Sequence, residues 1–209
     1  MKQSKPLLFI LFFAIFFYCS AHCFAQTKPL RVNSQRKDFY LLLKDANLKF
    51  TFPSGFTEIK AINNDYFSFD FALEDPKQGC EVWLTVRPQK QNWISYEKAQ
   101  SDKKTELANP DSMYVDVTKA YATELTGSKN FLARDMPADV LAEYNADGGK
   151  SYLLNLRDMA VLHHYKYALI VSMQKDHTGT LIAIFFTNYK DTDFYRDVNR
   201  VSHSFKFVP

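Results

Sequence analysis

Cysteine is scarce in this chain of 209 residues: there are three, and Cys19 and Cys23 both lie in an apolar N-terminal segment. Once that segment is removed only Cys80 remains, which excludes an internal disulfide and leaves packing to hold the fold. Glycine is also rare, with six residues, and these and the eight prolines fall between patterned stretches, so no repeat or low-complexity tract is present. No Asn-x-Ser/Thr triplet occurs, so nothing points to N-glycosylation. An excess of one charge is missing too. Lys2 and Lys5 take two of the 26 basic residues into the N-terminal segment, leaving 24 against 23 acidic ones. A balance so close to neutral gives no electrostatic reason to expect nucleic acid or an anionic membrane surface as a partner.

What the N-terminus does have is an ordered pattern. Lys2 and Lys5 are followed by an unbroken apolar run from Leu7 to Phe17, and Cys23-Phe24-Ala25 ends in a small-x-small motif. That order reads as a signal peptide over residues 1–25, cleaved near Ala25. Ser20, His22 and the adjacent cleavage motif argue against a membrane span that persists. Neither Cys19 nor Cys23 follows the small residues a bacterial lipid anchor needs. With a single thiol left, the expected address is the periplasm or cell surface of a bacterium. Residues 26–46 read as a flexible leader with a short docking run at Phe39–Leu43, and residues 47–209 as a single domain.

Within that domain, Leu48–Phe52 alternates as a strand, Pro53-Ser54-Gly55 is a turn, and a second short strand follows to Ile59. A hairpin is predicted from Tyr66–Leu73 and Cys80–Val86, with Phe67, Phe69, Phe71 and Leu73 on one face and Leu73 opposite Cys80. Helices are expected over 95–108 with Ser95 as its cap, 117–125 before Gly127, and 138–145 stopped by Gly148-Gly149. A strand at 152–156 precedes a hairpin of 165–174 and 180–187, with Gly179 in the left-handed position. Both faces of Leu181–Phe186 are apolar, as in a central covered strand. Phe194, Val198 and Val201 mark a last helix that Thr192 would cap, and Ser204–Phe207 a final strand. The sum is an α+β fold, a mainly antiparallel sheet with helices packed on both faces.

Phe50-Thr51-Phe52-Pro53-Ser54-Gly55-Phe56, and the closing order of long hairpin, helix and Ser204-Phe205-Lys206-Phe207, resemble Mog1/PsbP-like domains over residues 45–207. The resemblance implies an α/β/α sandwich of binding or accessory type. That family shares no catalytic motif, so no functional residue is carried over.

Candidate chemistry is thin. Cys80 alternates with Val82, Leu84 and Val86, the register of a core thiol. His163 and His164 are adjacent, which on a strand would point them apart, and no histidine pair has zinc-binding spacing. Asp191, Asp193 and Asp197 resemble the start of a calcium loop, but Arg196 and Ser202 stand where glycine and glutamate are required. Neither a metal nor a cofactor is expected.

One feature resists a bland account. The outer face of the first hairpin gathers Tyr66, Asp70, Trp83 and Arg87, with Asp70 opposite Trp83 and Tyr66 placed to stack on Arg87. Trp83 there is covered either by one of the chain's own helices or by a ligand or protein partner. The leading expectation is therefore a non-enzymatic exported binding or accessory domain that contacts an envelope protein or a small ligand. The rival is an exported hydrolase whose site is assembled in space, for instance from His177 or His164 and a carboxylate.

Overall fold

The strand that organises the molecule is the one with no polar face. Gly179–Thr187 is buried along its whole length, because the sheet continues on both sides of it and layers lie above and below. The computed structural model describes residues 30–61, 63, 67–102 and 107–209; the signal peptide expected over residues 1–25 and Tyr66 lie outside them. Nine strands are described: β1 (Leu48–Phe50), β2 (Thr57–Ile59), β3 (Phe71–Asp75), β4 (Cys80–Pro88), β5 (Leu132–Asp135), β6 (Gly148–Asn155), β7 (Tyr167–Lys175), β8 (Gly179–Thr187) and β9 (Phe205–Phe207). The helices are α1 (Leu30–Asp45), α2 (Lys90–Asp102), α3 (Met113–Thr126), α4 (Ala138–Tyr144) and α5 (Thr192–Ser202). Seven strands form one antiparallel sheet in the order β2-β3-β4-β8-β7-β6-β5, and β1 pairs separately with β9. Among the described residues, no helix is long and apolar enough to cross a membrane.

Each face of the sheet carries its own core. On one, Phe71, Leu73, Val82, Leu84 and Phe185 meet Phe39 and Leu43 of α1, Tyr144 of α4, Phe194 and Val201 of α5, and Phe205 and Phe207 of β9. On the other, Trp83, Ile184, Phe186 and Tyr152 meet Ala122 and Leu125 of α3 together with Phe67 and Phe69. The α+β sandwich expected from the hydrophobic periodicities is the observed architecture.

Several local expectations are corrected, each for a physical reason. Where a flexible leader followed by a short docking run was expected, a helix of 16 residues, α1, forms, and from Val32 onward it belongs to the compact unit Val32–Pro209; Phe39 and Leu43 of the expected docking run, one turn apart, are buried in the core. Helix α2 starts at Lys90, so Ser95 is not its cap but bonds back to Gln91 O within the helix. Asn145, at φ 53°, ends α4, and Gly148-Gly149 open β6 instead. Glycine is needed there for space: a Cβ on Gly149 would stand 2.5 Å from Met136 Sδ and 3.0 Å from the Ser172 carbonyl. The left-handed residue of the β7–β8 turn is His177, not Gly179; a Cβ on Gly179 would lie 2.8 Å from that of Ala46. Asp191 rather than Thr192 caps α5, accepting the Phe194 N–H at 2.9 Å.

Candidate functional site

The first hairpin is tighter than expected. Asp75, not Leu73, lies opposite Cys80, Leu73 faces Val82 and Phe71 faces Leu84. The turn closes early because Gly79 adopts φ 63° and Asp75 Oδ1 accepts the Lys77 N–H. A shift of two residues preserves which face each side chain occupies, so Trp83 still points away from Cys80, now opposite Ala72. The single apolar face for Phe67, Phe69, Phe71 and Leu73 does not form. The chain bends at Asp70, whose carboxylate accepts the Val86 N–H and pairs with Arg87 at 3.1 Å. Burial holds that carboxyl above its usual range despite the Val86 N–H and the guanidinium. The bend carries Phe67 and Phe69 across to the Trp83 side.

Those two rings help to bury Trp83. It is 1% exposed, with the ring of Phe69 centred 4.4 Å away, Phe186 at 4.5 Å and Phe67 at 5.9 Å, and Ala122 and Leu125 of α3 in the same cluster. Trp83 is therefore a core residue and offers no surface to a partner. Asp70 and Arg87 form an ion pair at the margin, and the expected Tyr66–Arg87 stack lies outside the described residues.

Beneath Trp83 is a buried carboxylate that sequence reasoning missed, tied to an exposed histidine. Glu81 is 3% exposed; its Oε1 accepts Trp83 Nε1–H at 2.5 Å and its Oε2 lies 2.9 Å from His163 Nδ1, which donates to it. Both His163 and His164 are left-handed, at φ 51° and 58°, a cost met by the paired contacts that hold them. His164 Nδ1 in turn meets Asp158 Oδ1 at 2.5 Å on the wall of a 540 Å³ cleft with Tyr165 and Tyr167. His177 stacks on Trp93 at 3.7 Å and stands 3.5 Å from Asp111, and His203 stands 3.4 Å from Glu143. Each of these four imidazoles thus lies beside a carboxylate, but only His163 and His164 hydrogen-bond to theirs; among the described residues no serine, threonine or cysteine side chain hydrogen-bonds to any of the four. A lone glutamate at an inward strand position was the available signal for Glu81.

Cys80 lies in the opposite core, 1% exposed, and burial together with Asp197 and Asp75 pushes its thiol well up. It should resist a thiol reagent in the native protein, and Cys80→Ala should cost roughly 1 kcal/mol in chemical denaturation, as for a small buried group. Rapid native labelling would contradict that burial.

Nearby, the acidic run of α5 resolves into separate tasks. Asp193 pairs with Arg196 at 2.9 Å. Asp197 is fully buried: Arg200 Nη2 stands 3.1 Å from its Oδ1, within ion-pair range but not aligned as a hydrogen bond. Arg200 also reaches Asp75 Oδ2 at 3.5 Å and donates to Ser54 O at 3.0 Å. Gly55, at φ 85°, makes room, since a Cβ there would stand 2.9 Å from Arg200 Nη1.

A further open surface lies at the other end of the sheet, on a strand the sequence did not reveal. One cross-strand row runs Leu73, Val82, Phe185, Leu169, Leu153, Leu132. Its cover falls away along the row: Phe185 is buried, Leu169 and Leu153 are half-buried, and Leu132 is 51% exposed. Tyr195 of α5, 46% exposed, borders a 330 Å³ cleft over this end together with Arg134, Ser151, Leu153 and Leu169. A 480 Å³ cleft continues past Leu132 and Leu153 to Asn155 and Lys190. Four residues ending in Arg134-Asp135 are too short and too charged to read as a strand. No protein-family model matches the chain, and no curated protein is similar to it.

Proposed function

We propose that this chain is an exported, non-enzymatic binding or accessory domain that contacts an envelope protein through the open β5–β6–β7 end of its sheet. The observation that carries the reading is the apolar row that leaves the core and ends, uncovered, at Leu132 beside Tyr195. An exposed aliphatic and aromatic strip with cationic residues at its rim has the make-up of a protein contact. The export leg rests on the charge, apolar run and small-residue motif of residues 1–25. The resemblance to Mog1/PsbP-like domains belongs to the same proposal and fits a sheet with helices on both faces.

Site-directed photo-cross-linking in the producing cell tests it. A photoreactive residue at position 132 or 195 should give one discrete adduct with an envelope protein, and the same residue at exposed Ile94 on α2 should not. Equal labelling from all three positions would remove the support for this surface. The hydrolase reading draws on His164, whose hydrogen bond to Asp158 orients it as a general base requires, and on His177, which stands 3.5 Å from Asp111. It predicts ester hydrolysis by the purified chain that His164→Gln or His177→Gln abolishes.

A further inference from the structure

The edge of β5 defines which kind of segment would fit beside it. Met136 N–H bonds to Gly149 O, and in the same antiparallel register Arg134 faces Ser151 and Leu132 faces Leu153. Hydrogen bonding alternates along such a pair, so Leu132 and Arg134 turn their peptide groups towards β6. Ala133 and Asp135 turn theirs outward, where the described sheet has no further strand. The outward row of N–H and C=O groups is a template for one more strand.

The side chains beside that edge carry a sign. Leu132 and Arg134 share the α5-side face, and the two clefts along it are lined by two cations, Arg134 and Lys190, and by no carboxylate. Lys190 sits over the ring of Tyr167, 4.0 Å from its centroid, and neither cation has an ion-pair partner among the described residues. Asp135, the one acid of β5, belongs to the other face and is engaged by Lys150.

Resting on the proposed binding role, we infer that β5 takes an extended segment of a partner protein as an eighth strand of this sheet. That segment carries an apolar residue and a carboxylate two positions apart, so that both fall on one face, the first against Leu132 and the second against Arg134. A second copy fits poorly. Two-fold pairing of β5 with itself sets Asn130, Leu132, Arg134 and Met136 against the same four residues, which supply no carboxylate. The chain's own residues 26–29, with Lys28 and no acid, carry the wrong sign.

The test uses the mature chain and a fluorescein-labelled peptide of repeating Val-Thr-Glu-Thr, with repeating Val-Thr-Lys-Thr as its partner probe, read by anisotropy at low salt. The glutamate peptide should bind at least about tenfold more tightly than the lysine peptide, and Arg134→Glu should reverse that order. Ala133→Pro removes one outward N–H at an edge that tolerates proline; it should weaken binding by about tenfold or more with the melting temperature held. Equal binding of the two peptides, binding of neither, or full binding by a folded Ala133→Pro variant would overturn the inference, as would sedimentation showing a dimer that Arg134→Glu dissociates. A discrete cross-link from position 132 with neither peptide binding would leave the proposed role standing and remove this one.

Discussion

Trp83→Ala should destabilise the protein by about 3–5 kcal/mol, the range for truncating a fully buried aromatic. The indole fills the space between Phe69, Phe186 and α3, and its Nε1–H satisfies one oxygen of a carboxylate that is itself almost out of water. Truncation therefore opens a cavity and strands Glu81 at once. Trp83→Phe separates these two costs: it keeps most of the packing and loses only the donor, a penalty of about 1–3 kcal/mol for an unsatisfied buried group. Urea denaturation at neutral pH reads both. A loss below about 1 kcal/mol for the alanine variant would mean that Trp83 is not packed as described.

Arg200→Met should be comparably severe, about 3–5 kcal/mol, because it leaves Asp75 and Asp197 buried together without their shared cation. The loss should depend on pH. In the native protein Asp197 already titrates above the ordinary carboxylate value, first because burial disfavours its charge and then because Asp75 is near, with Arg200 opposing both. A carboxyl raised on folding binds its proton more tightly in the native state. Its contribution to stability is thus full below the unfolded-state value of about 4 and lost as pH rises through the native value. Removing Arg200 raises that native value further, so the variant gains more from acid than the parent does. The deficit should be widest near neutral pH and shrink as pH falls through the raised native value towards the unfolded-state one. Arg200→Lys, which keeps a cation there, should recover part of the loss. A deficit that grows on acidification would contradict the arrangement.

The layered fold was legible because hydrophobic period is a strong signal wherever an element is long and buried. Leu181–Phe186, apolar on both faces, announced the central strand, and Phe194, Val198 and Val201 announced α5. Parity in the first hairpin survived although the register was displaced by two residues, since period two fixes faces before it fixes partners. What escaped was set by long-range contacts. The bend at Asp70, held by the Val86 N–H, split four phenylalanine and leucine positions between two cores. Helix α1 has only a weak amphipathic pattern, and its burial of Phe39 and Leu43 depends on strands later in the chain. The His163–Glu81 contact joins residues 82 positions apart, a distance over which spacing carries no information. The proposed surface was hidden for the same reason, as β5 becomes a strand only because β6 is there to receive it.

The β1–β9 ribbon bears on the timing of folding. Leu48 pairs with Phe207, and β4 finds its inner neighbour only in β8, whose residues are made almost a hundred positions later. Pairings of such long range pay their loop-closure entropy before any contact rewards them. Until β9 has been made, Phe39, Leu43, Leu48 and Phe71 lack Phe205 and Phe207, which complete their core. A chain interrupted before β9 would therefore leave those side chains without that cover, an open seam along α1 in place of a finished core.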